Sequence, residues 1–194
     1  MTSSAPLLDT IRNSPDTARL LAAFEFDIER KSSGAGLRLA SGAPLEPIAG
    51  DFTGGAYFLC AEEDGGGRRP VVFASSEGQG GLIADDLASA LEIIVGLEWR
   101  ACLGYSGGGD VEVMQASARH LERRRARDEP DITEDRVRIA AALSLRVPPV
   151  ADLVTHLHQA AARSEPDYVV ATEDGETYGP LFGEYTEPRL GGWD

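Results

Sequence analysis

Two apolar runs separated by a charged, glycine-rich break constrain this chain more than any other feature. The first is Glu46-Pro-Ile-Ala-Gly-Asp-Phe-Thr-Gly-Gly-Ala-Tyr-Phe-Leu-Cys60, and the second runs from Pro70 through Val71, Val72 and Phe73 to Ser76. Tyr57, Leu59 and Ala61 alternate with Phe58 and Cys60, and both sets are apolar, so this strand should lie centrally in a sheet covered on two faces. Glu62 to Arg69 has the charge and glycine content of a hairpin loop, which makes the strands on either side antiparallel neighbours. The expected strands lie near 45–49, 56–61 and 70–75. An α+β fold follows: a central antiparallel sheet flanked by helices, with a helical C-terminal extension.

After the break Glu77-Gly-Gln-Gly-Gly81 the period changes. Ile83, Leu87, Leu91, Ile94 and Val95 fall three or four apart, with Asp85 and Asp86 in the first turn, predicting a helix that begins near residue 83. Upstream, Leu7, Leu8 and Ile11, then Leu20, Leu21, Phe24 and Phe26, predict two short helices, the second capped by Ser14 with Pro15 at its first position. The stretch from Lys31 to Gly42 reads as a loop around Leu37 and Leu39. Downstream, Val111, Met114, Ala118 and Leu121 predict a helix, with Arg123, Arg124, Arg125 and Arg127 complementing its C-terminal dipole. Two more helices are expected from about Ile132 to Leu145 and from about Ala151 to Arg163, followed by a strand over Asp167 to Thr172 and a possible return strand toward Phe182.

At 194 residues the chain suits one domain: an α+β core over 1–105, a helical extension with a terminal strand pair over 106–182, and a tail over 183–194. Its net charge of -14, from 32 acidic and 18 basic residues, argues against nucleic acid as a ligand and favours a basic protein partner. Cys60 and Cys102 sit in apolar stretches without metal-ligand spacing and read as buried thiols. No apolar stretch approaches membrane-spanning length and the N-terminus lacks a signal-peptide pattern, so a cytoplasmic protein is expected. One lysine, Lys31, amid abundant arginine, alanine and glycine suggests a bacterial source rich in G/C codons.

Gly104-Tyr-Ser-Gly-Gly108 matches the G-x-S-x-G nucleophile elbow, but that elbow needs a parallel α/β framework before it and an acid and a histidine after it. Upstream lies a meander, and His120, His156 and His158 fall on helices, so the segment reads as a glycine hinge before a helix. Gly78 to Gly81 and Gly107 to Gly109 lack the residues of a phosphate loop. His156 and His158, two apart on a helix, point to different faces and cannot share a metal. No cofactor and no metal site is expected, and no enzyme.

The order of a helical N-terminus, Pro47-Ile48, Gly50-Asp51, Gly54, an apolar strand, a hairpin to Val71-Val72-Phe73 and a helix through Asp85, Leu87 and Leu91 resembles the SUKH superfamily, also called SMI1/KNR4-like. The resemblance covers roughly Leu7 to Leu103. It implies a non-catalytic immunity protein that binds and neutralises a bacterial toxin, one that is basic where it targets nucleic acid. Asp51, Glu62, Glu63, Asp64 and Glu77, on loops at the sheet ends, are the candidate partner-binding groups. Two other classes stay open: a small serine hydrolase using Ser106, and a regulatory or scaffold module.

Overall fold

The structure is a computed structural model that describes residues 4–30, 36–61 and 69–182. The chain opens with α1 (Ser4–Arg12) and α2 (Pro15–Ala23), and Ser14 caps α2 as expected, its hydroxyl accepting the Thr17 N–H ahead of a proline in the first turn. A two-residue strand, β1 (Arg38–Leu39), follows. Then β2 (Leu45–Gly50), β3 (Ala56–Cys60), β4 (Val71–Ala74) and β5 (Gly80–Ala84) form a four-stranded meander in that spatial order, each antiparallel to the next. The fold is α+β, with three strands where the apolar runs place them.

The fourth strand corrects the expectation for residues 80–86. Gly80 to Ala84 is a strand, and helix α3 (Leu87–Gly96) begins only after Asp86, whose carboxylate accepts the Ser89 N–H. Ile83 fits the helical spacing of α3 by coincidence of one position, and it faces the core from β5. Gly78 to Gly81 therefore forms a hairpin tip and strand start, with no helix N-terminus behind it. The loop read around Leu37 and Leu39 is corrected too, since β1 pairs there with β6 (Val170–Ala171) in a small second sheet.

Both faces of the meander are covered, as the doubly apolar pattern of β3 requires. Tyr57, Leu59, Val71, Phe73 and Ile83 join the large cluster that includes Leu7, Ile11, Leu21 and most of the helical core. Phe58, Cys60, Val72, Ala74 and Leu82 face the other way, against Leu39, Ala160 and Val170. After α4 (Trp99–Gly104) come α5 (Val111–Asp128), α6 (Ile132–Leu143) and α7 (Val150–Ala162). Met114, Ile139, Leu153 and Leu157 of these helices share the large cluster with the sheet, so the extension is built into the core. Arg136 ties them polarly, donating to the Val95 carbonyl at the end of α3 and to both oxygens of Glu122 on α5.

The outer strands are closed. On β2 the Gly50 N–H and C=O exchange hydrogen bonds with Asp27, and Pro47 and a register shift interrupt the rest of that edge. On β5 the Leu82 N–H donates to Ser164 Oγ at 2.9 Å and the Gly80 N–H to the Gly179 carbonyl at 2.8 Å.

Candidate functional site

The meander places the β2–β3 and β4–β5 turns at one end of the sheet, and Ser76 Oγ joins them by donating to the Thr53 carbonyl at 2.8 Å. The first turn is organised by Asp51. Its Oδ1 accepts from Thr53 N (2.8 Å), Thr53 Oγ1 (2.9 Å) and Gly55 N (2.8 Å), while Oδ2 accepts from Arg100 Nη1 on α4 at 2.7 Å. Gly54 holds φ +90, and a Cβ on Gly55 would come within 2.5 Å of Phe73 Cζ. The Gly-Asp-x-x-Gly-Gly pattern thus records one construction: a carboxylate folded back on its own turn, and two glycines that let the turn lie against an aromatic ring.

Asp51 was expected at the surface, and the structure corrects this. Its side chain has no accessible area, because the three local donors and Arg100 enclose it. What the turn exposes is Phe52, 58% accessible, with the Arg30 guanidinium 5.0 Å from the ring centroid. Glu77 is exposed in the β4–β5 turn, where Ser75 Oγ accepts its backbone N–H. Glu62, Glu63 and Asp64 lie outside the described residues. The strand ends at Cys60 and Val71 are at the end of the sheet opposite Asp51 and Glu77.

Beside the two turns a cleft of about 830 Å³ opens between the end of α2, α4, the C-terminal part of α5 and the β4–β5 turn. Trp99 and Phe73 form its apolar floor, in an edge-to-face pair 4.9 Å apart, and Tyr57 packs beneath both. Five carboxylates (Glu25, Glu77, Glu98, Asp128, Glu129) and three guanidinium groups (Arg100, Arg124, Arg125) line it among the described residues. The guanidinium groups are committed: Arg100 to Asp51, Arg124 to Glu98 at 2.6 Å, Arg125 to Glu129 at 3.1 Å.

Glu25 reaches this cleft by an uncommon backbone. It follows α2 at φ +64. The Phe26 N–H bonds the Leu21 carbonyl and the Glu25 N–H bonds the Ala22 carbonyl, each at 3.0 Å. This is the pattern that ends a helix with a left-handed residue, normally glycine. A side chain there costs about 1 kcal/mol. The carboxylate so placed lies 3.6 Å from Arg100 and stays 43% accessible.

Beneath the floor, Tyr57 Oη is the one buried side-chain oxygen or nitrogen among the described residues without a hydrogen-bond partner. Burial holds its pKa far above that of an ordinary phenol. Trp99 opposes this, although not at hydrogen-bond geometry; Asp51 and Glu25 add to the rise, and Arg100 opposes it.

Ser106 lies in a helix-to-helix connection, whereas a nucleophile elbow joins a strand to a helix. Its side chain is fully buried, with Oγ accepting the Gly109 N–H at 3.2 Å, and Gly107, Gly108 and Gly109 all have positive φ. His158 Nε2 lies 2.8 Å from the Gly109 carbonyl oxygen, and His156 is exposed on the same helix. Among the described residues no group of three or more His, Cys, Asp or Glu could hold a metal ion, and no helix is long and apolar enough to cross a membrane.

Sequence reasoning did not find Arg100, Glu25 or Phe52. Arg100 had a signal, being the one charge between Trp99 and Leu103 in an otherwise apolar run. Glu25 had a weaker one, an acid between two phenylalanines where a helix ends. Comparison with protein-family models, curated proteins and solved structures finds no match to this chain.

Proposed function

We propose that this chain is a SUKH-like immunity protein that neutralises a basic, nucleic-acid-targeting bacterial toxin in the cytoplasm by stoichiometric binding. The observation that carries this reading is Phe52, an exposed aromatic on a turn fixed from within by Asp51. A large side chain held in place before encounter loses little freedom on binding, which is what an interface anchor requires. Asp51 contributes by holding the turn, and Glu77 stands beside it. Glu62, Glu63 and Asp64 add charge that steers a basic partner, together with the net charge of -14.

The test is co-expression with each toxin domain encoded beside the protein, followed by titration of the purified pair. Rescue of growth and a one-to-one complex are expected. Phe52→Ala should weaken binding by roughly 30-fold, as loss of an aromatic anchor does, with the fold intact. Association should slow as salt rises past roughly 0.1 M, dissociation changing less. A folded protein that neither rescues nor binds any of these domains overturns the reading.

A further inference from the structure

The cleft between the end of α2, α4, α5 and the β4–β5 turn combines features that folding alone does not call for. Its arginines are already paired, Arg124 and Arg125 with carboxylates of the lining and Arg100 with the buried Asp51 behind it. Its carboxylates outnumber them, and the two nearest the turns are under-used. Glu77 takes no side-chain partner among the described residues. Glu25 meets Arg100 only at 3.6 Å, beyond hydrogen-bond length. Glu25 also occupies a left-handed position where glycine would relieve the backbone, and Tyr57 Oη is left unsatisfied beside the same charged groups. The backbone cost at Glu25 marks a residue retained for something other than stability.

We infer that this cleft receives an arginine or lysine side chain of the basic partner, with Glu25 and Glu77 as the carboxylates that meet it; this deepens the protein-binding reading and rests on it. Charge selects the occupant. An anion would enter a cleft whose ionisable lining is net negative, on a chain of net charge -14. A guanidinium or ammonium group entering the cleft meets Glu77, which has no side-chain partner among the described residues, and Glu25, held only by the 3.6 Å pair to Arg100. Arg100 lines the cleft and binds Asp51 within the turn that presents Phe52, so the charge socket is tied to that turn.

The chain has two tryptophans, and Trp193→Phe leaves Trp99 as the sole indole reporter at the site. A capped hexa-arginine peptide is titrated into this protein, with hexa-glutamate as control. A saturable change in Trp99 emission at one peptide per protein is expected, and none with hexa-glutamate. Glu25→Gly and Glu77→Gln should each weaken binding about threefold to fivefold. The pair Glu173→Gln with Asp174→Asn, exposed on a turn that does not line the cleft, should leave it within twofold. Glu25→Gly should also melt no lower than the parent, because glycine suits φ +64, which separates loss of binding from loss of fold. An unchanged Trp99 signal, or equal weakening by the Glu173 and Asp174 pair, overturns the inference. A Glu25→Gly, Glu77→Gln double variant that still neutralises a toxin as well as the parent overturns it while the protein-binding reading stands. A parent protein that binds hexa-arginine at the cleft but no toxin domain sinks that reading instead.

Discussion

Replacing Asp51 by asparagine and by alanine separates the two tasks of one carboxylate. Oδ1 takes all three bonds from the turn, and Oδ2 takes Arg100. Asparagine keeps an oxygen at Oδ1 and turns an amide NH₂ toward Arg100, so it spares the turn and removes the ion pair. Breaking a fully buried pair costs about 3–5 kcal/mol. Arg100 is 29% accessible and recovers part of its hydration, so Asp51→Asn should cost about 1–2 kcal/mol. Alanine removes the turn bonds as well. Gly55 N–H is then buried without an acceptor, which alone costs about 1–3 kcal/mol, while the exposed Thr53 groups turn to water. The total for Asp51→Ala should reach about 3–4 kcal/mol. Arg100→Leu, alone and combined with Asp51→Asn, closes a cycle whose coupling should equal about 1–2 kcal/mol. Urea unfolding at constant m value reads all four variants. Equal losses for asparagine and alanine, or a coupling indistinguishable from zero, would refute this division of labour.

Tyr57→Phe should raise stability by about 1 kcal/mol, since it deletes a desolvated hydroxyl that nothing satisfies; a loss of that size in urea unfolding would show a partner at Oη. Alkali should destabilise the fold. Burial pushes the Cys102 thiol up to about 11, against the lowering effect of Ser117, so its contribution is complete below its unfolded value of roughly 8.5 and is lost as pH rises toward 11. The urea midpoint should therefore fall across that window, Tyr57 adding in the same direction, and Cys102→Ser should flatten the fall; a level midpoint in the parent contradicts the burial. Ser106→Ala should cost about 1 kcal/mol through the lost Gly109 bond, and a fluorophosphonate probe should leave Ser106 unlabelled; labelling there would return the serine-hydrolase reading.

The meander was legible because β3 is apolar on both faces, and such a pattern has few solutions other than a covered central strand. The helix start at Ser14 was legible for a local reason, since a cap is a matter of one side chain and one or two backbone groups. β5 was not, because Gly80-Gly81-Leu82-Ile83-Ala84 carries little strand propensity and owes its state to pairing with β4 and to Ser164, 82 residues away. The site divides in the same way. The Gly-Asp turn could be read from six consecutive residues, but the meaning of Asp51 depends on Arg100, 49 positions on. An aspartate in a glycine turn looks like surface until the guanidinium that buries it is in view. Glu25 was hidden more deeply, since its place between two phenylalanines past a helix does not announce a left-handed conformation.

The closed edges of the sheet limit how any other polypeptide can attach. Joining a sheet by adding a strand needs a row of unpaired backbone donors and acceptors, and this meander presents none of useful length: Pro47 has no N–H to give, Gly50 is taken by Asp27, and Gly80 and Leu82 are taken by Gly179 and Ser164. Recognition through main-chain pairing, which tolerates many sequences, is thereby foreclosed. What remains is contact by side chains, which discriminates among partners one residue at a time. The same blunted borders keep two copies of the meander from pairing edge to edge.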